Sequence, residues 1–140
     1  MNRTSASQTT VSVIVAAYNV DKYLAECLDA IANSVNDGDE VIIVNDGSTD
    51  ATAEIAEKWC AAHRQKFECR VIHQENRGLP AARRTGFRSA RSAYILFADG
   101  DDCLLATEYR IASDILHKNN PDILVMDYFD WDPTQNKCVS

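Results

Sequence analysis

No apolar stretch in the chain approaches the ~20 residues needed to cross a bilayer, so no membrane span is expected. There is no Cys-x-x-Cys pair either. The five cysteines, Cys27, Cys60, Cys69, Cys103 and Cys138, are odd in number and scattered, and His63 and His73 lack metal-ligand spacing. A zinc site is therefore not expected, and buried reduced thiols in a cytosolic protein are the simpler reading. Basic residues are in deficit: fourteen Lys and Arg stand against twenty-one Asp and Glu, a net charge of -7. That field has the wrong sign for general attraction to nucleic acid or to an anionic membrane. Residues 1–10 are polar and lack the apolar centre of a secretory signal, so they are expected to be a flexible leader. Internal repeats and low-complexity segments are also missing.

What remains is 140 residues, 46% hydrophobic and 25% charged, a composition that fits one domain with a real core. Val11-Ser12-Val13-Ile14-Val15-Ala16-Ala17 and Glu40-Val41-Ile42-Ile43-Val44-Asn45 are continuous apolar runs of the kind found in sheets covered on both faces. Arg70-Val71-Ile72-His73, Ala93-Tyr94-Ile95-Leu96-Phe97 and Asp122-Ile123-Leu124-Val125-Met126 read as three further strands. Leu24, Cys27, Leu28, Ile31 and Val35 recur at helical spacing, with Asn19 or Asp21 as a cap. Asp50 can cap a second helix whose inner face holds Ile55, Trp59 and Ala62. A third, residues 80–90, starts at Pro80 and pairs small residues with a basic face, and Ile111, Ile115 and Leu116 mark a fourth. The alternation predicts an α/β fold with an open, mostly parallel, Rossmann-like sheet and helices on both faces. Residues 129–140 show no periodicity and are expected to be an irregular tail.

The polar residues gather where these strands end: Ala17-Tyr18-Asn19, Asn45-Asp46-Gly47-Ser48 and Asp99-Gly100-Asp101-Asp102. In a parallel sheet those ends share one edge, the usual ligand crevice. Asp99, Asp101 and Asp102 crowd three carboxylates that repel one another, and alternating acids suit a hard divalent ion already carrying phosphate oxygens. Arg83, Arg84 and Arg88 on the third helix could meet a phosphate or a base carbonyl. Each motif alone also has a plain reading as a turn, a cap or a solvated face. Their shared location carries the argument.

Four motifs in order, Val13-Ile14-Val15-Ala16-Ala17-Tyr18-Asn19, Val44-Asn45-Asp46-Gly47-Ser48-Thr49-Asp50, Asn76-Arg77-Gly78-Leu79-Pro80-Ala81-Ala82-Arg83-Arg84-Thr85-Gly86 and Phe97-Ala98-Asp99-Gly100-Asp101-Asp102, resemble the N-terminal half of family-2 glycosyltransferases of GT-A fold. The resemblance spans roughly residues 11–128 and implies a nucleotide-sugar donor site, typically for UDP-sugars. Ala17, Tyr18 and Asn19 would line base and ribose, Asp46 would accept a hydrogen bond from the base, and Arg83 would face base or diphosphate. Asp99 would lie by the ribose, and Asp101, with Asp99, would hold Mg²⁺ or Mn²⁺ in a D-x-D motif that Asp102 supports. The implied activity is sugar transfer to the hydroxyl of a saccharide or lipid-linked acceptor, with inversion. The implied location is the cytoplasm, including its membrane surface.

This sequence has Ala16 where the family usually has proline, Arg84 for asparagine, and Gly100 for serine or alanine. Family members also run well past a fifth strand, into an acceptor surface and a carboxylate base. Asp127, Asp130 and Asp132 are no convincing substitutes, so the sheet is expected to be cut short after its fifth strand, with an exposed edge inviting self-association. A non-catalytic nucleotide-sugar-binding module is the alternative. A phosphohydrolase with an aspartate nucleophile lacks its downstream residues here.

Overall fold

A computed structural model describes residues 10–132, 134 and 137–139, with the side chains of 131 and 137–139 left aside. The expected leader thus lies outside the described residues, except for Thr10, whose carbonyl accepts the Tyr94 N–H at 3.1 Å. The order is β1 (Val11–Ala17), α1 (Leu24–Ala32), β2 (Glu40–Asp46), α2 (Thr52–His63), β3 (Glu68–Gln74), α3 (Leu79–Ser89), β4 (Tyr94–Asp99), α4 (Ala106–Asn119), β5 (Asp130–Asp132) and β6 (Lys137–Val139). β3, β2, β1 and β4 lie in that order in one parallel sheet.

β1 and β2 are the apolar runs because both their faces are covered. Val13, Val15, Val41 and Ile43 point into a core closed by Leu24, Leu28 and Ile31 of α1, Trp59 and Cys60 of α2, and Tyr109 and Leu116 of α4. Ile14, Ala16, Ile42 and Val44 point the other way, onto Ala82 of α3. The small residues of α3 let it press on the sheet: a Cβ added at Gly86 would overlap Ile14 Cγ2. Among the described residues no helix is long and apolar enough to cross a membrane.

The opposite end of the sheet is tied by Glu40, which is buried and takes hydrogen bonds from Ser12 Oγ at 2.5 Å and the Arg91 N–H at 2.6 Å, with Arg70 paired at 2.8 Å. Burial pushes its carboxyl up, but Ser12, the Arg91 amide and the Arg70 charge outweigh this and hold it below its ordinary 4.5. A depressed carboxyl contributes stability that is complete above its unfolded value and is lost as pH falls through its folded value. Thermal melting across an acid series is therefore expected to show stability falling below about pH 4.5, with a shallower acid limb in Glu40→Gln. An unchanged limb would assign the acid loss to other carboxylates.

Several expectations need correction. Residues 122–126 form no strand: they are competent for one, but a strand exists only through a neighbour's hydrogen bonds, and none is provided among the described residues. Ile123 and Val125 are left exposed, and the segment borders a cavity of about 360 Å³ between β4 and α4, at the start of the strands. β4 is an edge strand of the described sheet and only partly covered. The tail is not wholly irregular, since β5 and β6 pair antiparallel; Asp132 Oδ1 takes both the N–H (2.8 Å) and hydroxyl (2.6 Å) of Thr134 in the turn between them. Neither Asn19 nor Asp21 caps α1, whose cap position is Tyr23 with no side-chain bond. Asp50 accepts the Thr52 N–H at 2.9 Å, but the cap position of α2 is Ala51, without a side-chain bond, and Ala62 faces solvent. Of the four described cysteines, Cys27, Cys60 and Cys69 are buried free thiols and Cys103 is an exposed one.

Candidate functional site

The parallel register sets the ends of β1, β2 and β4 level, with Ala17 opposite Asn45 and Ala16 opposite Asp99. The three polar segments picked out from the sequence therefore share one edge. Ala17 is buried, so it can offer a ligand only backbone, whereas Tyr18 is half exposed. Asn19 takes a left-handed turn, φ 49, which asparagine tolerates better than most residues. From there it reaches the β2–α2 loop: its N–H donates to Ser48 Oγ at 3.1 Å, and its Oδ1 accepts the Thr49 N–H at 2.8 Å. The next two amides follow suit, Val20 to Thr52 Oγ1 (2.9 Å) and Asp21 to Asp50 Oδ2 (3.2 Å). These four bonds lock the loops after β1 and β2 into one rim.

Asp46 is buried at 3% exposure, and its carboxylate is largely spent inside the chain. Oδ1 accepts Gln74 Nε2 at 2.7 Å and the Arg77 N–H at 2.9 Å, and Oδ2 accepts the Gly78 N–H at 2.8 Å. Two carboxylate oxygens offer about four acceptor positions, so one remains. Gly47 turns the chain at φ +72, and any Cβ there would stand 2.5 Å from the Asn76 amide nitrogen. The Asn76-Arg77-Gly78 run thus supplies backbone amides to Asp46, a role that composition and periodicity do not reveal.

At the third strand end Asp99 pairs with Arg83, Nη2 to Oδ1 at 3.0 Å. Arg83 also lies over the Phe97 ring at 5.8 Å, and its Nε is buried without a partner. Arg84 and Arg88 are exposed, so only one of the three arginines joins the acids. The loop after Asp99 is pinned by the Gly100 N–H on the Ala16 carbonyl and the Asp102 N–H on the Asp99 carbonyl, both 3.0 Å. Asp101 and Asp102 are exposed. The Asp102 carboxyl is raised, first by partial burial and then by the charges of Asp101 and Asp99. Burial, Cys103 and the same acids push the Cys27 thiol up to about 12, leaving it a neutral donor 3.5 Å from the Asp99 carbonyl.

Among the described residues no three His, Cys, Asp or Glu side chains form a metal cage. The acidic loop nevertheless fits a divalent ion that arrives with its own oxygens. One or two carboxylates are the usual protein share when phosphates and water complete the shell, and the repulsion from Asp101 and Asp99, which adds to partial burial in raising Asp102, is what a cation would relieve. Sequence reasoning missed Thr52 and Gln74, because each acts on a residue distant in the chain.

The model of the family described as glycosyl transferase family 2 matches residues 12–138. An uncharacterised glycosyltransferase of Bacillus subtilis, EpsJ, is 40% identical over 114 residues, covering 81% of this chain and 32% of that protein. Staphylococcus aureus TarS 1–349, solved in complex with UDP-GlcNAc, is similar at a TM-score of 0.70 and 31% identity, covering 79% of this chain and 32% of that one. The mannosyltransferase PcManGT of Pyrobaculum calidifontis, in complex with GDP-Man and Mn²⁺, gives 0.67 and 27%, covering 75% of this chain and 32% of that one. The chain spans about a third of the length of these relatives.

Proposed function

This chain belongs to glycosyl transferase family 2, and on that premise we propose that its crevice binds the nucleotide part of a nucleotide-sugar donor, with UDP the favoured diphosphate. Convergence of the ends of β1, β2 and β4 on one edge carries this reading. Tyr18 and the backbone of Ala17 and Asn19 line base and ribose, and the remaining acceptor position on Asp46 takes an imino N–H of the base. Asp99 lies toward the ribose. Arg83, half-exposed and already turned toward the acids, offers its remaining N–H groups to the diphosphate.

Asp101, with Asp99 beside it and Asp102 in support, would hold Mg²⁺ or Mn²⁺. Such an ion neutralises the charge that a departing diphosphate gains. It also accounts for an acidic protein, net charge -7, accepting an anionic ligand.

In the whole protein the reaction is sugar transfer, with inversion, to the hydroxyl of a saccharide or lipid-linked acceptor. The acceptor oxygen bonds to the anomeric carbon, the bond from that carbon to the diphosphate breaks, and the hydroxyl proton passes to a base. Asp127 and Asp130 are exposed in and beside the unpaired segment after α4, and neither is assigned that role. The matched length, about a third of the relatives, favours a second reading in which these 140 residues hold the donor without transferring its sugar. The described free thiols fit a reducing cytoplasm, at the membrane surface where the acceptor is a lipid. Self-association would run through the β4 edge, which has β1 alone beside it in the described sheet, and sedimentation at rising concentration tests for it.

Calorimetric titration of the chain with UDP, CDP, GDP and ADP, with and without Mn²⁺, tests the donor site. Metal-dependent binding of UDP above CDP and ADP is expected. A folded monomer that binds none of them, or binds all equally without metal, would overturn the reading. Release of free UDP from a UDP-sugar by the same chain would separate turnover from holding.

A further inference from the structure

A line of hydrogen bonds runs from the candidate crevice to the outer surface of α2. The Ser48 N–H donates to Asn45 Oδ1 at 3.2 Å, Asn45 Nδ2 stands 3.1 Å from His73 Nδ1, and His73 Nε2 stands 2.7 Å from Glu57 Oε1. The proton positions along it follow from one fixed point. A backbone amide can only donate, so the atom facing Ser48 is the Asn45 carbonyl oxygen. The Asn45 amide group then faces the imidazole and donates to it, so Nδ1 carries a lone pair. The ring proton sits on Nε2 and is given to the Glu57 carboxylate. One tautomer satisfies every partner. At the crevice end, Ser48 Oγ receives the Asn19 N–H at 3.1 Å.

We propose that His73 and Glu57 are positioning residues for the donor site: they orient the Asn45 amide, and through it Ser48 and Asn19, so that the rim facing base and ribose has one shape. The consequence for ligand affinity rests on the donor-site reading; the orientation itself does not. Both side chains are about half exposed, 47% for His73 and 49% for Glu57, so they are paired more tightly than solvated residues need to be. The partners are spread over three elements, with Glu57 on α2, Asn45 on β2 and His73 on β3, so local sequence does not account for the line.

The line has a proton sense. A second proton on the ring would occupy Nδ1 and oppose the Asn45 amide, donor against donor. Relief requires Asn45 to turn over, which drops the Ser48 N–H. The groups facing the ring are Glu57 from α2 and Asn45 from β2. Along the strand Ile72 and Gln74 carry no charge, Gln74 being engaged with Asp46 and Thr85, and Glu75 is the nearest other charge in sequence. Replacing Asn45 by aspartate reverses the logic, because a carboxylate facing Nδ1 demands the second proton.

Nuclear magnetic resonance on the whole chain tests this without any nucleotide. The expected results are a neutral ring protonated at Nε2 alone, and Ser48 and Asn19 amide signals that move together when the ring takes a second proton. In Asn45→Asp the arrangement that holds Ser48 is expected with the doubly protonated ring rather than with the neutral one. Glu57→Gln, whose side-chain oxygen still accepts from Nε2, should keep the wild-type pattern, while Glu57→Leu and His73→Leu lose it and weaken UDP binding about tenfold. A ring populating both tautomers, or Ser48 and Asn19 amides indifferent to its titration, would overturn the proposal. A chain that binds no nucleotide sinks the donor-site reading alone, since the ring and amide signals still decide the line.

Discussion

Replacement of Asp101 by alanine is expected to abolish metal-dependent nucleotide binding, a loss of at least about a hundredfold if the carboxylate is a direct ligand, while leaving the fold intact. Asp101 is exposed, and among the described residues its side chain ties no other element to the sheet. The neighbouring Asp102 carboxyl is already raised by partial burial and by the charges of Asp101 and Asp99, so deleting Asp101 removes repulsion. The variant should therefore melt at or slightly above the wild-type temperature without metal, and gain nothing when Mn²⁺ and UDP are added. Asp99→Ala is the control. It would strand the Arg83 guanidinium, whose Nε is already buried without a partner, and so should lower the melting temperature itself. Calorimetry and thermal melts on the two variants separate the roles. Unchanged UDP affinity in Asp101→Ala would remove the ion from its assigned place.

Asp46→Ala is expected to act on stability and on base choice together. The substitution leaves the amides of Arg77 and Gly78, held in part-buried hydrogen bonds, without their acceptor, along with the Gln74 side chain. A fully buried unsatisfied donor costs about 1–3 kcal/mol; these three are part-buried and partly served by water, so a total loss of about 2–4 kcal/mol is expected from chemical denaturation. The base effect follows from the one acceptor position left on the carboxylate. Uracil presents an imino N–H at the ring nitrogen where cytosine presents a lone pair, so the carboxylate favours the first and repels the second. The ratio of CDP to UDP dissociation constants should collapse toward unity in the variant, measured at a temperature where it stays folded. An equal proportional loss for both nucleotides would confine Asp46 to holding its loop.

β1 and β2 were legible because burial on both faces writes a strand as an unbroken apolar run. The strand ends were legible for the same reason, since a polar turn after such a run has one place to go in a parallel sheet. Other features depended on partners far along the chain. Asn19 and Asp21 look like caps for α1, but Asn19 binds Thr49 and the Asp21 amide binds Asp50, and α1 begins without a side-chain cap. Residues 122–126 have the composition of a strand, which says nothing about whether a neighbour is present to pair with them. The β5–β6 hairpin lacks the alternation that would announce it, and a side-chain turn at Asp132 marks the bend instead. Asp46 has the sequence pattern of a ligand contact, yet most of its hydrogen bonding is internal.

β4 carries the acidic loop at its end, but in the described sheet it has β1 alone beside it. The position of Asp99 and of the residues that follow is thus set from one side only. Anything that pairs with the other side, whether more polypeptide or a second molecule, would change how firmly those acids are held. Thermodynamic linkage then makes the effect mutual: an occupant of the edge that tightens ligand binding must itself be bound more tightly when the ligand is present, by the same factor. The edge of this sheet is therefore a second handle on the crevice, and the strength of that coupling could be measured from either end.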